Sequence, residues 1–152
     1  MTNLPRDNIK GVMGSLVDAI SPQNVFPYRT SLSRTVNAGQ FAVSVITVPA
    51  GNPWICHVYG SSDEVTYSIY KTPTFTGGTN SKIYHADLSK AGLATGTLLR
   101  DVTVTAGGDG TLKFVGSKEF TVMFEAGSVY LIKMTNPTAG NVTILTDVSI
   151  RT

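Results

Sequence analysis

The chain has 152 residues and a formal net charge of +2, and only 14% of its residues are charged, against about 25% in an average soluble domain. The small, scattered positive charge argues against a nucleic-acid-binding surface, and no apolar run approaches the ~20 residues that a membrane span needs. Thr and Ser take the place of the missing charges with 20 and 13 copies, a composition typical of a single Thr-rich, Gly-punctuated β domain.

The first 24 residues are predicted to be a separate segment, either a short amphipathic helix or an extended arm. Asp7 or Asn8 offers a helix cap and Ser21-Pro22 would end the helix, whereas Gly11 and Gly14 oppose it. A single helix buries its apolar stripe only against something else, either its own domain or a neighbouring subunit, and both alternatives stay open. The stripe has helical spacing and consists of Ile9, Val12, Met13, Leu16, Val17 and Ile20.

After Pro22 the hydrophobic period changes to two, and short strands separated by turn residues follow one another. A long polar connection with one helical turn is expected over 87–98. Strands with a turn about every ten residues are typical of an antiparallel sandwich or barrel. We therefore predict an all-β, jelly-roll-like antiparallel β-sandwich over 25–152. Its strands are expected near 41–46, 54–59, 65–71, 82–86, 99–105, 112–115, 119–125, 129–134 and 142–150.

Residues that could carry catalysis are few and poorly placed for it. Cys56 is the only cysteine, and because neighbours on a strand point to opposite faces, Cys56 and His57 cannot form a nucleophile pair. His57 and His85 have no metal-binding spacing, and the acidic residues fall mostly at predicted turns. Gly77-Gly78 and Gly107–Gly110 lack the Lys-Ser/Thr pair of a phosphate loop and are predicted to be hairpin turns. We expect no enzyme, no metal and no cofactor.

Two segments in the second half of the chain resemble a family of small virion proteins of tailed phages. The first is Tyr70-Lys71-Thr72-Pro73 at the end of a predicted strand, and the second is the late hairpin Gly127-Ser128-Val129-Tyr130-Leu131-Ile132-Lys133-Met134-Thr135-Asn136. The resemblance runs from Val65 to the C-terminus, and the N-terminal segment here is longer than the short start of that family. It implies a β-sandwich and, as for several family members, a capsid decoration or cement protein.

The function implied by this resemblance is structural: the protein would bind the outer surface of a phage capsid and cement neighbouring capsid subunits. The partner would be the major capsid protein, and we expect a homo-oligomer, a dimer before a trimer, without nucleic acid or membrane. A lone cysteine and the lack of a visible signal peptide fit assembly in the host cytoplasm and a final place on the virion. The expected contact residues are the arm stripe named above and the basic residues Arg6, Lys10, Arg29 and Arg34.

An alternative class of function is a phage tail-fibre, adaptor or receptor-binding module that engages a host glycan. Trp54, Tyr59 and Tyr70 are the candidates for such a glycan-stacking face. The competing interpretation places the same aromatic residues in the core and at strand edges.

Overall fold

The structure is a computed structural model that describes residues 26–60, 65–87, 89–90, 97–102, 113–116 and 119–152. The N-terminal helix or arm of 1–24 and the glycine turn at 107–110 lie outside these residues. No helix in the described ranges is long and apolar enough to cross a membrane. The described strands are β1 (Tyr28–Val36), β2 (Phe41–Thr47), β3 (Trp54–Gly60), β4 (Thr66–Lys71), β5 (Thr79–Asn80), β6 (Tyr84–His85), β7 (Leu99–Val102), β8 (Lys113–Gly116), β9 (Glu119–Phe124), β10 (Val129–Thr135) and β11 (Val142–Arg151).

The strands form two antiparallel sheets in jelly-roll order. Sheet A runs β6-β1-β11-β3-β9 and sheet B runs β5-β7-β2-β10-β4-β8. The first long strand pairs with the last, and the second pairs with the last but one. The chain alternates between the sheets from β1 to β4 and again from β8 to β11, which is the connectivity of a jelly roll. The short strands β5, β6 and β7 extend the sheets beside β1 and β2. The predicted all-β, jelly-roll-like sandwich is therefore confirmed.

The main core lies between the sheets and is built from the inward side chains of alternating strands. In β3 Trp54, Cys56 and Val58 are buried, and β9 contributes Phe120 and Phe124 from the neighbouring strand. Sheet B closes the core from the other side with, among others, Ile46, Tyr67, Ile69, Tyr130, Ile132 and Met134. This alternation is the period-two pattern of a strand with one buried face.

Strand β1 was not predicted from the sequence, because two of its inward positions are polar. Its buried or half-buried residues include Thr30 and Arg34, so the hydrophobic alternation is interrupted. Thr30 Oγ1 lies 3.0 Å from Ser81 Oγ, and the Arg34 guanidinium donates through Nη1 and Nη2 to strand β2 inside the sandwich. The strand is nevertheless paired with β11 along its whole length, from Tyr28 opposite Ile150 to Val36 opposite Val142.

The outer face of sheet B carries a second apolar cluster formed by Val43, Val45, Val102 and Leu131. Residues 72–78, which we call the crossing loop, lead from β4 over this face to β5, on the far side of β7. Phe75 of the crossing loop packs on the cluster. The prediction of a hairpin turn at Gly77-Gly78 is wrong, because β4 and β5 do not pair with each other and β5 pairs with β7 instead.

Candidate contact surface

The side chains of Cys56, His57 and His85 do not form a joint site, because each of them faces different neighbours. Cys56 faces the core, where burial raises the pKa of its thiol above the ordinary range, whereas His57 points to the outer face of sheet A. His57 Nε2 lies 2.7 Å from Glu119 Oε1 across β3 and β9, and the His85 ring packs edge-on against Tyr28. Among the described residues no group of three or more His, Cys, Asp or Glu could hold a metal ion.

The carboxylates of the described residues are engaged with separate partners rather than with one another. Glu125 pairs with Lys71, and Asp147 accepts a hydrogen bond from Ser31. Asp87 accepts hydrogen bonds from the hydroxyl and the backbone N–H of Ser89, which lower the pKa of the Asp87 carboxyl below its ordinary value. These contacts tie side chains to neighbouring strands and turns, and they bring no second carboxylate to any of these sites.

Arg34 was expected on a partner-binding surface, but the structure places it between the sheets. Its side chain is 7% exposed, and Nη1 lies 2.5 Å from Asp101 Oδ1 on β7. The guanidinium also donates to the Val43 carbonyl oxygen and to Ser44 Oγ on β2. Burial lowers the pKa of Arg34 against the opposing effect of Asp101. Arg34 therefore joins the two sheets and is not available to an acidic loop of another protein.

The three aromatic residues of the expected glycan face do not share a surface. Trp54 is 3% exposed and lies in the core. Tyr59 points outward from sheet A, whereas Tyr70 packs on the apolar cluster at the outer face of sheet B. The whole thickness of the sandwich separates these two rings. The interpretation of Trp54 as part of a stacking platform is therefore wrong, and it belongs to the core instead.

The outer face of sheet A, which we call the A face, is where the exposed apolar side chains collect. All four exposed large hydrophobic residues of the described ranges lie on it: Tyr59 at 38%, Tyr84 at 53%, Met123 at 62% and Leu145 at 40% exposure. The strand registers bring Met123 beside Ile55 and Arg151. Tyr84 on β6 and Met123 on β9 lie at opposite edges of the sheet, so these side chains share a face rather than one contiguous patch. Their confinement to one face makes the A face the candidate for contact with another macromolecule.

Charged residues of both signs lie among these apolar side chains in neighbouring cross-strand rows. One row runs Arg29, Ser149, His57 and Thr121 across β1, β11, β3 and β9. The next row along the strands runs Ser31, Asp147, Tyr59 and Glu119. The A face thus places Arg29 in one row and Asp147 and Glu119 in the next row.

Arg29 is the expected contact residue that the structure describes as exposed. It lines a shallow depression together with Ser31, Tyr84, His85 and Ala86 at the β6 edge of the A face. The other expected contacts of the arm, namely Arg6, Ile9, Lys10, Val12, Met13, Leu16, Val17 and Ile20, lie outside the described residues. Phe26, the first residue that the structure describes, packs on the His57 ring at 5.7 Å between centroids.

Sequence reasoning missed the A face because its members come from five strands distant in the chain. Met123 points outward from β9 and is exposed. The sequence pattern does not predict that β9 pairs with β3 or that β1 pairs with β11. The rows that contain Arg29 and Asp147 can therefore be identified only from the strand registers of the structure.

Comparison with known proteins adds little to this picture. No protein-family model and no curated protein matches the sequence. The solved structure of PliG, a periplasmic inhibitor of g-type lysozyme from Aeromonas hydrophila, covers 82% of this chain and 88% of its own, with 12% identity and a TM-score of 0.49. The Yersinia pseudotuberculosis-derived mitogen covers 82% of this chain and 87% of its own, with 8% identity and a TM-score of 0.36. Similarity at this level assigns neither protein's activity to this chain.

Proposed function

We propose that this protein is a structural component of a phage virion that binds the outer surface of the capsid and cements neighbouring subunits. The observation that carries the proposal is the A face, which holds all the exposed large hydrophobic side chains of the described residues, spread among charges of both signs. Such a surface suits contact with protein. The resemblance of the segment after Val65 to small phage virion proteins supplies the capsid as the setting.

The hairpin that carries most of the resemblance has a structural role in the sandwich. Tyr130 is buried and stacks on Phe124 at 4.0 Å between ring centroids, and its hydroxyl accepts a hydrogen bond from the Glu125 N–H. Asn136 is fully buried and donates through Nδ2 to the carbonyl oxygens of Val36 and Gly140. A shared hairpin of this kind supports a shared sandwich, and the contacts with other proteins must come from surfaces outside it.

The proposed contact with the capsid comprises the A face, the N-terminal arm and the basic residues beside the arm. A charge-poor, hydroxyl-rich exterior is covered by a protein neighbour at a small desolvation cost, because few ions lose their water. Arg29, at the start of β1, is exposed close to where the arm joins the sandwich. If the arm contacts two or more capsid subunits, the shell can rupture only when these arm contacts break as well.

The location of the protein is tested directly on particles. Virions made from the genome that encodes the chain are purified, the chain is detected by mass spectrometry, and its density is located by cryo-EM. The proposal expects density on the outer capsid surface that touches more than one capsid subunit. Density on the tail or a fibre would favour the adaptor or receptor-binding alternative, and absence from particles would overturn both.

The arm is tested by deleting residues 1–24 and adding the truncated protein to capsids that lack the chain. We expect a sandwich that still melts cooperatively but loses most of its capsid occupancy. The matched control is the full-length chain added at the same concentration. Unchanged occupancy of the truncated protein would overturn the assignment of the arm as the capsid contact.

A further inference from the structure

The two outer faces of the sandwich differ in how the described chain covers them. The crossing loop lies over the outer face of sheet B, with Phe75 packed on the apolar cluster and Arg100 within 5.8 Å of the Phe75 ring centroid. On the A face the described part of the chain leaves Met123 and Tyr84 more than half exposed. Any further cover for these two side chains must therefore come from outside the described residues.

The described chain begins on the A face. Phe26 is half-buried, and its ring packs on the His57 ring at 5.7 Å between centroids. His57 belongs to β3, and β11 lies between β3 and β1 in sheet A. The Phe26 side chain therefore reaches from the start of β1 across β11 to the outer side of β3. The chain that precedes Phe26 thus meets the sandwich over this face.

The segment before Phe26 has the apolar side chains and the length to cover the A face. The arm stripe from Ile9 to Ile20 has helical spacing, and a helix of these residues is ~18 Å long. The outermost of the five strands of sheet A lie ~19 Å apart. Residues 21–25 can span up to ~17 Å, so the helix can lie across the strands while Phe26 stays on His57.

We propose that, in the free protein, the arm stripe docks on the A face of its own sandwich. A helix across the strands passes from Tyr84 on β6 to Met123 on β9, and Tyr59 on β3 lies between them in strand order. Burial of apolar groups on both sides stabilises this contact. The short connection through residues 21–25 gives the arm a high effective concentration at its own sandwich, which favours it over the arm of a second copy.

Shallow depressions at both ends of this path can receive apolar side chains of the stripe. The depression at the β6 side is the one beside Tyr84 described above. At the β9 side a second depression is lined by Ile55, Met123 and Arg151, together with Asn52, Pro53 and Thr152. The exposed side chains Tyr84 and Met123 are too far apart for one compact contact, but a helix that crosses the sheet reaches both.

The docking has a consequence for assembly that, unlike the docking itself, rests on the proposed function. The proposed capsid contact comprises the arm and the A face, and in the free protein each of these surfaces covers the other. Binding to the shell must then separate them. The two apolar surfaces thereby stay out of water until a capsid offers another partner.

The test measures how fast a thiol on the A face reacts with a small maleimide. Met123→Cys places the thiol at a position that is 62% exposed, and Cys56 does not compete because it is buried. In the full-length chain we expect labelling about 10-fold slower than in the same variant without residues 1–24. Lys133→Cys is the matched control on sheet B, where Lys133 packs on Phe41, and it should react equally fast in both lengths.

Two substitutions in the full-length Met123→Cys chain separate the apolar stripe from the mere presence of the arm. Leu16→Glu places a carboxylate within the stripe and is expected to raise the labelling rate to that of the truncated chain. Ser15→Glu adds the same charge outside the stripe and is expected to keep the slow rate. Circular dichroism melting establishes that each variant is folded.

Equal labelling rates with and without residues 1–24, or a slow rate in Leu16→Glu, would overturn the proposal. The slow rate should be the same at all protein concentrations, and protection that grows with concentration would assign the cover to a second copy instead. The measurement needs no capsid. Absence of the protein from particles would therefore contradict the proposed function alone, whereas an unprotected thiol would contradict this inference alone.

Discussion

The buried hydroxyl of Tyr67 explains why position 60 must be glycine. Tyr67 is fully buried, and its hydroxyl has no hydrogen-bond partner among the described residues. Burial, with a smaller contribution from Tyr59, raises the pKa of Tyr67 to about 12. The hydroxyl lies where a side chain on Gly60 would begin, since a Cβ built there would be 1.5 Å from the oxygen. Gly60 thus accommodates a polar atom that the core does not otherwise satisfy.

Two substitutions separate the effect of the unpaired Tyr67 hydroxyl from the effect of a steric clash at position 60. Tyr67→Phe removes a buried polar atom without a partner, so we expect the free energy of unfolding to stay within about 1 kcal/mol of wild type or to rise. Gly60→Ala forces the new methyl group onto the hydroxyl and is expected to destabilise the protein by roughly 2–3 kcal/mol. Chemical denaturation measures both.

The double variant decides whether the clash is the cause. In the Tyr67→Phe background, Gly60→Ala is expected to cost less than it does in wild type, because the nearest clashing atom is gone. Equal costs in the two backgrounds would mean that the backbone of β3, rather than the tyrosine, excludes a side chain at position 60.

At the scale of elements, the Arg34–Asp101 pair connects the two sheets at the β1 side of the sandwich. Arg34 comes from β1 in sheet A, and Asp101 and Ser44 come from β7 and β2 in sheet B. Burial raises the pKa of Asp101 in spite of the opposing Arg34 charge, so desolvation of the pair is costly. A buried pair of this kind fixes the position of two elements more than it adds stability.

Removing one partner of the Arg34–Asp101 pair should therefore lower the free energy of unfolding more than removing both. Arg34→Met leaves the Asp101 carboxylate half-buried without its cation, and we expect a loss of about 3 kcal/mol in the free energy of unfolding. Arg34→Met combined with Asp101→Leu should recover most of that loss. Denaturation of the two single variants and the double variant forms the complete cycle, and purely additive effects would show that the pair is not coupled.

The elements show what the sequence could and could not predict. Strands with an unbroken alternation, such as β3 and β9, were predicted within a residue or two of their ends, because one buried face imposes period two. β1 was missed since Thr30 and Arg34 replace apolar residues on its inward side. The glycine pair of the crossing loop predicts a hairpin because the local turn signal is the same, and only the pairing of β5 with β7 distinguishes the two structures.

The crossing loop is expected to protect the outer face of sheet B. Phe75→Ser removes the ring from the apolar cluster of Val43, Val45, Val102 and Leu131, so we expect a loss of about 1–2 kcal/mol from exposed apolar surface and increased binding of a hydrophobic dye. Phe75→Leu, which keeps an apolar group there, should restore most of the stability. An unchanged melting temperature in Phe75→Ser would show that the loop contributes nothing to this cluster.

For the whole molecule, the residues before β1 connect the sandwich to the arm that we propose as a capsid contact. Phe26, just before β1, packs on His57 on the A face, and Arg29 is exposed at the start of β1. Arg29 is therefore the described basic residue that lies nearest in the chain to the proposed arm contact.

Capsid binding should therefore depend on Arg29 as well as on the arm. Arg29→Glu reverses the charge at an exposed position, so we expect it to melt like wild type but to associate with capsids more slowly and with a changed salt dependence, as measured by binding to immobilised capsids at several salt concentrations. Lys133→Glu is the matched control, because it reverses a charge on sheet B, where Lys133 packs on Phe41, and it should associate at the wild-type rate. Association of Arg29→Glu at the wild-type rate would contradict the assignment of Arg29 as a capsid contact.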